Sequence, residues 1–241
     1  MLAACERSGR VATEFAKRGW EAWSCDLEPS DQLMHIWVSE NFEHDGVYRH
    51  HRGDVLELFE WDHPVNSRVK FGLEPVWDLV IAFPPCTDIS SAGARYWKEK
   101  DISQGGDGRM QWGAKLFMDM IYAPAPHVAV ENPMGKMNQW YRYPDQVVEP
   151  WWFGDPYSKK TCLWLRNLPM LVADNPVAPV GRVATGGGSW RTDRNAQRVL
   201  MSKYEDSRGR VNREYMRSLT FEGFARAMAD QWGPYIEKEM A

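Results

Sequence analysis

The apolar positions of this chain fall into short blocks separated by stretches of helical period, and the two alternate through its first half. Met1–Cys5 opens the chain as a strand. Val11–Arg18 follows with Val11 and Phe15 on one face and Gly19 as a stop, which predicts a helix. Glu21–Cys25 is a second strand closed by Asp26, and Val47–His50 a weaker third one ahead of the turn Arg52-Gly53-Asp54. Trp77–Phe83 is almost continuously apolar, as a parallel strand covered on both faces has to be. Met110–Tyr122 is predicted helical, and His127–Val130 is another short buried strand. This alternation predicts an α/β fold with a doubly wound, mostly parallel sheet. Ligands of such sheets bind beyond the carboxyl ends of the strands. Glu6–Gly9, Asp26, Asp54, Phe83–Cys86 and Glu131-Asn132 therefore share one rim.

The second half is less regular. Glu149–Gly154 and Thr161–Leu165 are predicted strands, and Phe221–Trp232 an amphipathic helix with Thr220 as its N-cap. Between them, 167–217 carries prolines and the flexible run Thr185–Ser189, and is predicted to be a small irregular insertion. The expected division is a catalytic and cofactor-binding part at 1–166, the insertion at 167–217, and a C-terminal helix at 218–241 that returns to the first part.

Charge changes this picture in one place. The net charge of −4 argues against a chain that binds polyanions over its whole surface. Between Arg182 and Arg217, however, arginines and lysines outnumber acids, with Arg191, Arg194 and Arg198 at the centre. Such a run is ordinarily a solvated face, and becomes a nucleic-acid surface only if the chemistry elsewhere asks for one. Cys5, Cys25, Cys86 and Cys162 are far apart and form no Cys-x-x-Cys pair, so neither a zinc site nor a disulfide framework is expected. The opening MLAACERSGR has no apolar stretch suited to a signal peptide, and no later run could span a bilayer. A cytoplasmic protein with reduced thiols is the expectation.

The chemistry concentrates after two strands. Phe83-Pro84-Pro85-Cys86 places a thiol on a turn stiffened by two prolines, which offer no N–H to compete for the site. A loop cysteine alone is compatible with an inert thiol. Val130-Glu131-Asn132-Pro133 puts a carboxyl after the next strand, where it could cap a helix or, beside a thiol in a crevice, act as an acid toward a ring.

In this order the residues resemble those of the cytosine-5 DNA methyltransferases, most closely the compact enzymes of phage and prophage. The family signature Pro-Cys-x-x-x-Ser-x-x-Gly is met by Pro85, Cys86, Ser90 and Gly93, and its Glu-Asn-Val element by Glu131 and Asn132 with Pro133 in the valine place. The turn Cys5-Glu6-Arg7-Ser8-Gly9-Arg10 is similar to the family's glycine-rich first turn, although only Gly9 among its glycines is kept. Asp26 and the Asp54 of Gly-Asp-Val match the acids after the second and third strands, and ARAMADQW resembles the last family motif. Of the family's Gln-x-Arg-x-Arg, which falls on Tyr157–Thr161, only Lys159 keeps a positive charge in register.

The resemblance implies a Rossmann-like S-adenosylmethionine-dependent fold and a cofactor held by Cys5, Glu6, Ser8, Gly9, Asp26, Leu27, Asp54, Val55 and Pro84. It implies Cys86 as nucleophile on carbon 6 of a flipped cytosine, Glu131 as donor to ring N3, Asn132 as the residue fixing the loop, and Lys159 on the carbonyl O2. Ser90, Arg95, Arg191, Arg194 and Arg198 would meet DNA, with no metal and no membrane involved. Three alternatives remain open at this point. They are an RNA cytosine-5 methyltransferase, an amino-methyltransferase, against which the thiol in Phe-Pro-Pro-Cys speaks, and a nucleic-acid-binding protein on a decayed fold.

Overall fold

The computed structural model describes residues 1–30, 46–60, 77–179, the backbone of 181–182, and 220–241. Arg191, Arg194, Arg198, the Thr185–Ser189 run and nearly all of the basic segment lie outside the described residues.

The principal sheet has seven strands. They are β1 (Leu2–Ala4), β2 (Glu21–Asp26), β3 (Val47–Arg52), β4 (Leu79–Ala82), β5 (His127–Asn132), β6 (Gln146–Val148) and β8 (Thr161–Arg166). Their order is β3-β2-β1-β4-β5-β8-β6. The pairs from β3 to β5 are parallel, and β8 runs antiparallel between β5 and β6. Two-residue strands β7 (Tyr157–Ser158) and β9 (Gly181–Arg182) make a small parallel pair. Helices α1 (Arg10–Ala16), α2 (Trp97–Lys100), α3 (Arg109–Ile121), α4 (Met137–Trp140) and α5 (Glu222–Met240) complete the described fold.

Alternation along the strands explains why the sheet is covered on both faces. Ala3, Leu79, Ile81 and Ala129 point into one core with Val11 and Phe15 of α1 and Phe224, Met228 and Trp232 of α5. Leu2, Ala4, Val80, Ala82, Val128 and Val130 point into the other, with Met110, Phe117 and Met120 of α3. Both side-chain sets are apolar because neither face meets water, so the strands read as unbroken hydrophobic runs. The chain winds outward from β1 through β2 to β3, then crosses back to β4. The reversal between β1 and β4 is a topological switch point, where a crevice opens beyond the strand ends.

Three expectations are corrected. Residues 149–154 do not form a strand: Pro150–Trp152 is a 3-10 turn with proline in its first turn, because Pro150 has no N–H to give a ladder. The strand is instead β6, whose Gln146–Val148 pairs with Leu163–Thr161 of β8. The last helix begins at Glu222 with Phe221 as its cap residue and no side-chain cap, so Thr220 does not cap it. The Thr220 carbonyl instead accepts from Arg10 Nη1 at 2.7 Å. That helix also continues through Pro234 to Met240, beyond the expected end at Trp232. Buried Ile236 and hydrogen bonds to Glu237 from Trp20 and to Glu239 from His127 hold the extra turns in place.

The described residues just after β8 pack against β6 and α5. Leu171 is buried, Gln146 bonds both its N–H and its C=O, and Gln231 of α5 bonds both backbone groups of Val172.

Trp232 is fully buried and its indole N–H donates to the Pro169 carbonyl at 2.9 Å. Trp232→Ala should lower unfolding stability by about 3–5 kcal/mol, the usual cost of truncating a buried aromatic. Urea denaturation followed by far-ultraviolet circular dichroism checks this, and a loss below about 1 kcal/mol would contradict the packing.

Candidate functional site

The rim at the carboxyl ends of the strands is built by tight turns. After β1, Cys5 and Gly9 both adopt left-handed backbone, with φ of 55° and 67°. Glycine suits that region, which gives Gly9 its reason to remain while other positions of the turn carry side chains. Arg10 turns away from the rim to the Thr220 carbonyl and to Glu222, and so fastens the C-terminal segment to α1. Glu6 lies beneath the turn, buried, with one carboxylate oxygen accepting from the Ser8 hydroxyl and the other without a hydrogen-bond partner.

After β2 and β3 stand the two expected aspartates. Asp26 Oδ1 accepts from Glu28 N–H at 2.9 Å, and Asp54 Oδ1 from Leu56 N–H at 3.0 Å. Each carboxylate therefore holds a turn with one oxygen.

These turns and α3 enclose a cleft of about 410 Å³, a volume in the range of small-molecule sites. Cys5, Asp26, Leu27, Asp54 and Val55 line it. Pro85 also lines it, whereas Pro84 is buried behind the turn. Glu6, Ser8 and Gly9 are buried and are not among its lining residues. The opposite wall is α3, whose Arg109, Trp112, Lys115, Leu116 and Asp119 were not singled out from the sequence. A signal was present. Trp112 lies on the polar side of an amphipathic helix and is 76% exposed, which an ordinary core tryptophan is not. Gly113 lets α3 come close to the Cys86 turn, since a Cβ there would stand 3.3 Å from Ile89 Cγ2.

Beyond Pro85 lies the second part of the rim. Asn132 Nδ2 donates to the Pro84 carbonyl at 2.8 Å, a buried bond that ties the end of β5 to the proline turn. Cys86 follows, half-buried, with its carbonyl accepting from Ile89 N–H at 3.2 Å and Ser90 N–H at 2.8 Å. The turn is clamped to the next loop: Ser91 N–H donates to the Met134 carbonyl, Lys136 N–H to the Ile89 carbonyl, and Ser90 bridges Gly135. Only glycine fits at 135, because a Cβ would lie 2.2 Å from the Ile89 oxygen. Gly93 caps the same loop, its N–H donating to the Ser90 carbonyl.

Burial pushes the Glu131 carboxyl above its usual range, and the nearby Lys159 cation partly opposes that shift. Lys159 is thus close enough to Glu131 to be felt electrostatically. The other three thiols are poor nucleophiles. Burial pushes Cys5 upward and takes Cys25 and Cys162 to about 12, which keeps them neutral. Arg95 is exposed and its guanidinium lies 4.5 Å over the Tyr96 ring. Among the described residues there is no cluster of three or more His, Cys, Asp or Glu suited to a metal, and no helix long and apolar enough to cross a membrane.

No protein-family model matches the chain, and no curated protein matches it. Among solved structures it is similar to a protein from E. coli, provisionally described as a DNA modification methyltransferase encoded within a prophage. The TM-score is 0.46 with 16% identity, over 73% of this chain and 52% of that one. The chain thus spans about half the length of that structure, and at this distance the likeness assigns no function. What the fold and rim define by themselves is an α/β protein with a cleft of small-molecule size at its switch point, the Cys86 thiol on the turn that follows Pro85, and the half-buried Glu131 carboxyl near the end of the neighbouring strand.

Burial raises Glu6 from 4.5 to about 7, outweighing the Ser8 hydrogen bond and the Arg10 charge, which lower it. The native state then binds this proton more tightly than the unfolded chain, so stability falls as pH rises from about 4.5 to about 7. The total is on the order of 3 kcal/mol. Glu6→Gln should be more stable than the wild type at about pH 8 and little different at about pH 4, as urea midpoints would show. Equal pH slopes for the two proteins would count against a strained Glu6.

Proposed function

We propose that the protein is an S-adenosylmethionine-dependent methyltransferase that acts on carbon 5 of cytosine in DNA through Cys86. The observation that carries this reading is the bond from Asn132 to the Pro84 carbonyl. It fastens the turn bearing the thiol beside a carboxyl that burial favours in its neutral form.

The cleft suits an adenosyl group: apolar Leu27, Val55, Leu116 and Trp112 offer faces for a purine, and Asp26 and Asp54 offer acceptors for hydroxyl and amino groups. When bound, the cofactor supplies an electrophilic methyl group on sulfonium. Carbon 5 of cytosine is too weak a nucleophile to take it unaided, and this chain provides the activation. The Cys86 thiolate adds to carbon 6, which leaves an electron-rich enamine at carbon 5; once carbon 5 carries the methyl group, its proton leaves to a water molecule and the Cys86–carbon 6 bond breaks, which restores the ring and the thiolate. Glu131, whose protonated form burial favours, donates a hydrogen bond toward ring N3 and so relieves the negative charge that addition creates. Lys159, close to Glu131, supplies a cation for the neighbouring carbonyl O2. Asn132 holds the Cys86 turn in place while these transfers occur. A base within a duplex cannot reach this rim, so the target nucleotide has to leave the stack.

Cys86→Ala should abolish methyl transfer to DNA and leave S-adenosylmethionine affinity unchanged, since the thiol meets the base and not the cofactor. DNA containing 5-fluorocytosine should form a covalent adduct with the wild type alone. Methylation by the alanine variant, or exclusive activity on RNA offered in parallel, would overturn the assignment. Asp26→Ala should weaken S-adenosylmethionine binding by about 1–3 kcal/mol in calorimetry, the loss expected for a missing hydrogen-bond acceptor. Undiminished affinity would place the cofactor elsewhere.

A further inference from the structure

The loop clamped against the Cys86 turn carries a group of side chains that the reaction does not use. Lys136 Nζ lies 4.3 Å from the centre of the Trp97 ring and 5.3 Å from that of Trp140. Arg95 repeats the arrangement over Tyr96 at 4.5 Å. Tyr96 and Trp140 are more than two-fifths exposed, at 41% and 44%. Two cation–aromatic pairs in solvent are worth little to folding, since each contributes only about 0.5–1 kcal/mol at an exposed site.

Their placement is fixed by backbone bonds. Lys136 N–H donates to the Ile89 carbonyl at 2.8 Å, and Ser90 N–H returns to the Cys86 carbonyl at the same distance. The Lys136 backbone is therefore two hydrogen bonds from that of the nucleophile. Local charge is also opposite to that of the whole chain. Lys100 is buried against Asp88 and Arg142 is paired with Asp145, but Arg95, Lys98 and Lys136 still outnumber Glu99 in residues 90–100 and 133–143, while the net charge of the protein is −4. Cations interleaved with open aromatic faces are what an unstacked polynucleotide needs, because bases stack on the rings and phosphates meet the cations. A closed duplex offers no exposed base faces to such rings, whereas an unpaired strand does.

Resting on the reading of Cys86 as a cytosine nucleophile, we infer that Tyr96 and Trp140, with Arg95 and Lys136, form a stacking surface for the unpaired nucleotides that flank the target. The protein then prefers single-stranded or locally opened DNA to closed duplex. Trp140 and Tyr96 act on binding and take no part in the chemistry.

The test compares fluorescence anisotropy of one labelled cytosine-containing oligonucleotide, single-stranded and fully paired, with wild type, Trp140→Ala, Tyr96→Ala and Trp140→Phe. Each alanine variant should bind the single strand roughly 5- to 100-fold more weakly, the effect of one lost base–aromatic stack. Duplex affinity and S-adenosylmethionine affinity should stay near wild type, and Trp140→Phe should recover most of the loss. Single-strand affinity within twofold of wild type for both alanine variants would overturn the inference, as would equal weakening toward both DNA forms. If these variants match a wild type that methylates DNA, the stacking surface alone fails. A wild type that binds neither DNA form removes the nucleic-acid reading together with it.

Discussion

Two consecutive prolines after a buried strand create a specific difficulty. Neither has an N–H, so the Pro84-Pro85 turn cannot bind its neighbours as a donor, and the Pro84 carbonyl is buried away from water. The Asn132 side chain meets this with a buried bond of 2.8 Å to the Pro84 oxygen. The parallel register makes that possible. Ala82 pairs with Val130, so two residues farther along both strands Pro84 and Asn132 come level. A buried carbonyl left without a partner costs about 1–3 kcal/mol, and every feature of the thiol's surroundings hangs from this turn. Cys86, the Ile89–Ser90 return, the tight approach of Gly135 and the position of Glu131 all follow from β4 and β5 being held together at that point.

The acids of the rim divide by environment. Asp26 and Asp54 are each committed to a backbone N–H of a turn, which fixes their orientation toward the cleft while leaving a second oxygen for a ligand. Glu6 and Glu131 are instead desolvated, and both are pushed upward for that reason. For Glu6 the consequence is stability that declines with rising pH. For Glu131 it is a carboxyl suited to donating a hydrogen bond, with Lys159 limiting how far it rises. The same physical cause, burial, thus acts on both carboxyls.

Helix α3 joins the two parts of the rim. Its apolar side packs Met110, Phe117 and Met120 under the sheet, while Trp112 and Leu116 face the cleft. Gly113, between them, admits the Cys86 turn. One helix therefore sets both the width of the small-molecule cleft and the seat of the thiol. A substrate and a cofactor bound there would meet across Pro85.

The sequence by itself determined the parts of this protein whose physics is local. β1, β4 and β5 were legible because strands covered on both faces read as apolar runs, β2 by Ala22, Trp23 and Cys25 ahead of the closing Asp26, and α3 because one side of it repeats with helical period. Cys86, Glu131, Asp26 and Asp54 stood out by residue type at strand ends. Tertiary structure decided whatever depends on a partner far along the chain. β6 is three residues with no pattern of its own and exists because β8 offers it an edge. α5 runs through Pro234 because Ile236, Glu237 and Glu239 find contacts on α1, Trp20 and β5 that outweigh the missing hydrogen bond. Trp112 joined the cleft, and Lys136 and Trp140 joined the Cys86 turn, through packing between segments that no spacing along the chain relates. Burial, which sets the protonation of Glu6 and Glu131, is likewise a property of what surrounds a residue in space and is absent from its neighbours in sequence.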